Sequence, residues 1–283
     1  MVDLVIVSLV HQTPEMVYWM AENLHLYVRG SFRWVVHYNG ARPLDRSRLP
    51  DWVWPIPDPI QTQAWTPSIV FAVAKCIAYA ASKTTFTNVL TMSSGSAFFR
   101  PYVVPTAEEV RFLTYEPLFN GSRPLPHLEP FSVDRLGHIA EELQAQGAGT
   151  WQYPGFDSHT ELHDRIRARG FKWVRGSQWS GQVIPRVPAL QIAEDTLPTG
   201  PSYVGEEIVL STYSYNYAVA QRRPVAASEA IINWESGYIV DHIETIQGYR
   251  AACRAFPGMG HLVCKVPDDP LHPVRVYLNT HLA

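Results

Sequence analysis

The sequence predicts an α/β fold: a twisted, mixed and mostly parallel sheet flanked by helices, in a single domain. Three observations carry this reading. Leu4 to Val10 is a run of Leu, Val and Ile interrupted only by Ser8, the composition of a strand buried on both faces. Thr13, Pro14 and Glu15 then offer an N-cap, a first-turn proline and a first-turn acid for a helix to about Leu26. Arg33 to Tyr38 supplies a second strand, closed by the turn pair Asn39-Gly40. Strand, helix and strand in that order begin a doubly wound sheet, whose ligands gather at the carboxyl ends of its strands. Those ends carry Ser8, His11, His37 and Asn39.

Ala41 to Thr66 is rich in Pro and Trp and reads as a long irregular connection or flap. Ser68 to Ser82 follows as a helix with Ile69, Val73, Cys76 and Ala80 on one face. Asn88 to Met92 is a strand running into Ser93-Ser94-Gly95-Ser96-Ala97. Small residues there let a ligand approach the backbone, although a plain turn accounts for them equally well. Next come a short strand (Val110 to Tyr115), a Pro-rich loop (Glu116 to Pro130) and a helix (Val133 to Gln146). His159 and His163 stand one helical turn apart, a spacing that can bind a metal. They run on into Arg165, Arg167 and Arg169, and the alternating charges fit a solvated helix face better.

Lys172 to Arg175 reads as a strand leading to Gly176-Ser177-Gln178-Trp179, followed by a Pro-rich linker. Glu206 and Glu207 then open a helix whose face is Ile208, Thr212, Tyr215 and Val219. Ala230 to Asn233 is a short apolar stretch ending at Trp234, Thr245 to Phe256 is helical, and Leu262 to Val266 is a strand or turn carrying Lys265. A lysine among apolar neighbours is unusual, though snorkelling at a sheet edge explains it as well.

Composition limits the function classes. With 23 basic and 26 acidic residues in 283, and a net charge of −3, there is no general electrostatic case for nucleic acid or an anionic membrane. Cys76, Cys253 and Cys264 have no CxxC spacing and form no disulfide framework, so buried reduced thiols are expected. The amino terminus lacks a basic flank and reads as a strand, and no apolar run approaches the roughly 20 residues of a membrane span. A cytoplasmic protein, at most peripheral to a membrane, is expected.

The acids carry the chemistry. In a first helical turn the free N–H groups and the positive end of the macrodipole stabilise an ionised carboxylate, which can then act as a general base. Acids at helix starts also serve stability alone. The context of this pair is more specific: Gly176-Ser-Gln-Trp179, then Gly205-Glu206-Glu207, then Thr212 five residues later. It resembles the core-2/I-branching N-acetylglucosaminyltransferase and xylosyltransferase family, where Gly-Ser-Gln-Trp precedes Pro-Asp-Glu and a Thr. The order of His11, His37-Tyr38-Asn39, Trp65, Ser94-Gly95-Ser96-Ala97, Ile232-Asn233-Trp234 and Val263-Cys264-Lys265 is similar to that family along nearly the whole chain. Asn39 and Ala97 depart from it, standing where the family has Asp.

The resemblance implies a glycosyltransferase A-type fold, with a nucleotide-sugar half over about residues 1–115 and an acceptor and catalytic half over about 116–283. It implies an inverting transferase taking a nucleoside-diphosphate sugar as substrate and a glycan or small hydroxyl compound as acceptor. Glu207 would be the base. Ser8, His11, Asn39, Ser94, Gly95, His242 and Lys265 would bind the donor, with Arg250 a further cation. Gln178, Trp179, Glu206 and Trp234 would face the acceptor. The sequence has no Asp-x-Asp, and the family's metal-independent members use cations in place of an ion, so no metal or cofactor is expected. Two rivals remain: a non-catalytic sugar- or nucleotide-binding protein, and a metal-dependent transferase using Asp157 and His159.

Overall fold

β1 (Val2–Val10) is the middle of the molecule, and its residues Leu4 to Val7 are completely buried. Each such side chain contributes about 1.5–3 kcal/mol by leaving water. α1 (Pro14–Tyr27) follows with Thr13 at the N-cap, and β2 (Phe32–Tyr38) pairs parallel to β1, setting Ile6 opposite Trp34. The computed structural model describes residues 1–63, 66–112, 115–118, 121–124, 130–135, 160–177, 179–201, 205–228, 230–231, 245–247, 250, 261–263 and 266–280.

β3 (Val53–Pro55), α2 (Ser68–Lys83), β4 (Phe86–Ser93) and β5 (Val110–Phe112) come next. α3 (Thr160–Ala168), β6 (Val183–Pro185), α4 (Arg186–Thr196), α5 (Glu206–Ala220), β7 (Val225–Ala227) and α6 (Pro273–Thr280) complete the framework. The main sheet has seven strands in the order β7-β5-β6-β4-β1-β2-β3. All run parallel except β6, which is antiparallel to both its neighbours. The expected mixed, mostly parallel sheet flanked by helices is therefore present. α2 packs on β1 and β2 and on α4, α4 packs on α5, and α1 packs on α6.

Several local expectations need correction. The connection over Ala41 to Thr66 is not wholly irregular, because Val53–Pro55 is the edge strand of the sheet. Its Pro55 lies at an edge, where a missing N–H costs no ladder bond. The stretch after Trp179 is not a linker: it holds β6 and α4. Pro188 falls in the first turn of α4, where the missing N–H has no intrahelical partner to lose. Within the loop expected from Glu116 to Pro130, Tyr115–Leu118 and Gly121–Pro124 form an antiparallel hairpin.

In α5, Ile208 to Ser214 are all buried, so the helix is enclosed on every side over that stretch, while Val219 is exposed. Only Val133–Arg135 of the expected helix over Val133 to Gln146 falls within the described residues, as a 3-10 turn. Most of the helix expected over Thr245 to Phe256 lies outside them. Among the described residues no helix is long and apolar enough to cross a membrane.

Candidate functional site

The carboxyl ends of β1, β2 and β4 meet at one edge of the sheet, where Gln12 Nε2 donates to Ser94 Oγ at 2.8 Å. His11 is exposed beside them. Gly40, just beyond β2, has no room for a side chain: a Cβ would collide with the Gln12 carbonyl and the Tyr38 ring. Gly95, in the turn after β4, is the opposite case. A Cβ there would meet nothing nearer than 3.8 Å among the described residues, whose packing does not demand glycine.

Asn39 Nδ2 donates to Thr62 Oγ1 at 3.2 Å, and its buried Oδ1 has no hydrogen-bond partner. His37 is fully buried and its Nε2 accepts from the Ile60 N–H at 3.0 Å, which ties the segment after β3 to β2. Burial pushes the imidazole down to about 4, so His37 is neutral at neutral pH. Ser8 corrects an expectation. It is completely buried and its Oγ accepts from Trp34 Nε1 at 2.9 Å, so it joins β1 to β2 and presents nothing to a ligand. Ala97 is also completely buried.

A network of hydroxyls joins the turn after β4 to the loop before β6. Ser93 Oγ and Ser96 Oγ are 2.7 Å apart, Ser96 Oγ and Ser180 Oγ 2.9 Å, and Ser180 Oγ accepts from the Ser93 N–H at 3.1 Å. Thr91 Oγ1 donates to the Trp179 carbonyl and accepts the Gln182 N–H at 3.2 Å, while the Thr91 carbonyl accepts the Gly181 N–H at 2.6 Å. Ser228, just past β7, donates to the Gly181 carbonyl at 2.9 Å. Trp179 is half-buried and packs partly on the core. Its neighbour Gln178 lies outside the described residues.

The same loop is fastened to α5. Asn216 Oδ1 accepts the Lys172 N–H at 3.1 Å, and Asn216 Nδ2 donates to the Trp173 carbonyl at 2.7 Å. One turn earlier in the helix, Thr212 accepts the Arg175 N–H at 3.0 Å, and Ser211 donates to the Arg175 carbonyl at 2.6 Å. Two extended residues advance about 6.6 Å and one helical turn about 5.4 Å, so the two segments stay in step. These bonds hold Arg175 against Ser211 and Thr212, one turn past Glu206 and Glu207, where α5 begins. Ile208 and Val209 donate to the Gly205 carbonyl, and Gly205, at the N-cap, has no side chain with which to cap the helix.

The last approach to this edge comes from the carboxyl-terminal segment, whose Leu262–Val263 strand pairs with Ala97–Phe98 and with Ala230–Ile231. Past it, the Val266 N–H donates to the Gly95 carbonyl at 2.8 Å. Lys265, His242, Trp234, Trp65, Asp157 and His159 lie outside the described residues. Arg250 is exposed and donates to Tyr277 Oη at 2.8 Å.

Arg275 escaped the sequence reading. It is completely buried in α6 and donates to the Ser94 carbonyl at 2.8 Å, to the Val266 carbonyl at 3.3 Å and to the Pro267 carbonyl. A cleft of about 470 Å³ opens nearby, between α1 and Asp269 to Leu271, lined by Thr13, Glu15, Tyr18, Trp19 and Arg48. Among the described residues no group of His, Cys, Asp and Glu could hold a metal ion. No protein-family model matches the chain, and no curated protein matches it significantly.

Proposed function

We propose that the protein is an inverting, metal-independent glycosyltransferase of the A type, with Glu207 as general base. One observation carries the reading: three stretches that resemble a single family, far apart in sequence, are joined through their neighbouring residues. Ser96, past the Ser94–Gly95 turn, is 2.9 Å from Ser180, which follows Gly176 to Trp179, and Arg175, which precedes them, is held by Ser211 and Thr212, in the second turn of the helix that opens at Glu206. The seven-stranded mixed sheet is compatible with the A-type fold and supports the same reading.

In this reaction the base takes the proton of the acceptor hydroxyl as its oxygen attacks the anomeric carbon. The bond from that carbon to the donor's diphosphate breaks on the opposite face, and its electron pair leaves with the diphosphate. The free N–H groups of the first turn of α5 keep a carboxylate ionised for that step. The departing diphosphate needs positive charge, which the resemblance assigns to Lys265, with His242 or Arg250 assisting. Trp179 and Trp234 would offer flat faces to the acceptor sugar, beside Gln178 and Glu206. Glycine at position 95, which its described neighbours do not require, keeps the backbone of that turn bare for the donor.

Two observations favour a second reading, a non-catalytic sugar- or nucleotide-binding protein of the same fold. Ala97 is fully enclosed where the family has an acid, and the Asn39 amide is committed to Thr62. Incubating purified protein with uridine, guanosine, cytidine and thymidine diphospho-sugars separates the two. Release of nucleoside diphosphate, by transfer or by hydrolysis, is expected for the transferase. Stabilisation by a donor without any release favours the binding protein instead.

A further inference from the structure

A buried arginine is costly unless its charge is compensated, and an aliphatic side chain of similar volume fills the same space without that cost. Arg275 has no carboxylate in direct contact: the nearest oxygen, Asp268 Oδ1, is 3.8 Å away on a half-exposed side chain. Its hydrogen bonds go to the carbonyls of Ser94, Val266 and Pro267, and its Nη1 has no partner. The guanidinium lies 4.5 Å from the Trp19 ring, and the indole of Trp19 donates back to the Arg275 carbonyl at 3.0 Å. Burial pulls the guanidinium down to about 10, so it stays charged at neutral pH.

Those partners are not scattered. Ser94 belongs to the turn after β4, while Val266 and Pro267 belong to the segment that follows Lys265, and the two are joined directly by the Val266 N–H on the Gly95 carbonyl. Arg275 spans the back of this junction, and a Cβ built on Gly95 would make ordinary contacts, at 3.8 Å, with the same Val266 carbonyl and with Asp268 Oδ1. We propose that Arg275 is a positioning residue of the candidate site, fixing the Ser94–Gly95 turn against the Val266–Pro267 segment so that the turn receives the diphosphate part of a donor. The ligand part of this inference rests on the glycosyltransferase reading; the hold on the turn does not.

The experiment compares wild type, R275K and R275M. Each is titrated calorimetrically with uridine, guanosine, cytidine and thymidine diphosphates, and amide hydrogen exchange is followed at Val266. R275M is expected to bind whichever diphosphate the wild type takes at least tenfold more weakly, and to exchange the Val266 amide at least tenfold faster. R275K, which keeps the charge but reaches fewer carbonyls, is expected to recover part of both. A purely structural latch would lower Tm and leave the affinity of the folded variant unchanged, and that result overturns the positioning role. If R275M does not fold, R275K decides: wild-type affinity together with wild-type Val266 exchange overturns the proposal. Wild-type protein that binds none of the four diphosphates removes the glycosyltransferase reading, and exchange at Val266 then decides alone whether Arg275 holds the turn.

Discussion

The hydroxyl of Thr212 occupies both backbone groups of Arg175, accepting its N–H at 3.0 Å and donating to its carbonyl at 3.2 Å. Thr212 thus anchors the backbone just past the Trp173–Val174 strand to a fully buried part of α5, with Ser211 as a second donor to the same carbonyl. Thr212→Val keeps the shape and leaves the Arg175 N–H unsatisfied, so we expect a loss of about 1–3 kcal/mol in urea unfolding. Thr212→Ser should lose much less. Equal stability of Thr212→Val and wild type would mean that the loop does not depend on this anchor.

Glu207→Gln preserves size and removes the proton acceptor. Turnover should fall roughly a hundredfold or more while donor affinity changes little. Glu206→Gln should be much milder. Steady-state kinetics of the two folded variants decide between the acids, and near-normal turnover by Glu207→Gln would remove the base from the proposed mechanism.

Gly95→Ala tests whether the bare backbone of the turn is kept for a ligand. An added methyl makes only ordinary contacts, with Asp268 and Val266 atoms at 3.8 Å, so Tm should stay close to wild type. Donor affinity should fall about tenfold, equivalent to roughly 1.4 kcal/mol. Unchanged affinity in the thermal-shift titration would show that the donor lies elsewhere.

His37 makes stability depend on pH. Its folded value of about 4 lies below the ordinary 6.5, so the unfolded chain binds the extra proton between those two values. The associated stability is complete above about pH 6.5 and is lost progressively as pH falls toward 4, by at most about 3 kcal/mol. His37→Gln should flatten this part of the profile. Unfolding free energies at pH 4.5 and 7 that differ equally in variant and wild type would assign the dependence to other groups.

Turnover is expected to survive excess chelator, because the sequence has no Asp-x-Asp. Activity lost on chelation and restored by manganese would favour the reading through Asp157 and His159.

The strands and helices that sequence alone located are those with long, uniform patterns. Val2–Val10, Phe32–Tyr38 and Phe86–Ser93 are seven to nine residues of mostly apolar chain, and Ser68–Lys83 keeps Val73, Cys76 and Ala80 on one buried face. β6 was hidden because three residues are too few to show a period and Pro185 reads as a breaker. α6 was hidden by Pro270 and Pro273, which signal a turn, and by Arg275 in the position of a buried residue. At the site, the Ser94–Gly95 turn and the helix opening at Glu206 were legible as local patterns. The Thr91, Ser180 and Ser211 bonds that draw them together were not, because a buried hydroxyl leaves no periodic trace.

The packing of α6 on α1 also bears on how the protein is made. Trp19 and Tyr27 hydrogen-bond to Arg275 and Leu278 across 256 and 251 residues of chain. A ribosome that has finished α1 must therefore synthesise all the chain up to α6 before that helix finds this cover. Until then the Trp19 indole and the Tyr27 hydroxyl lack these partners. Chains cut before Pro273 should accordingly accumulate as protease-sensitive species even though all seven strands of the main sheet have been made, which limited proteolysis of the truncated protein would reveal.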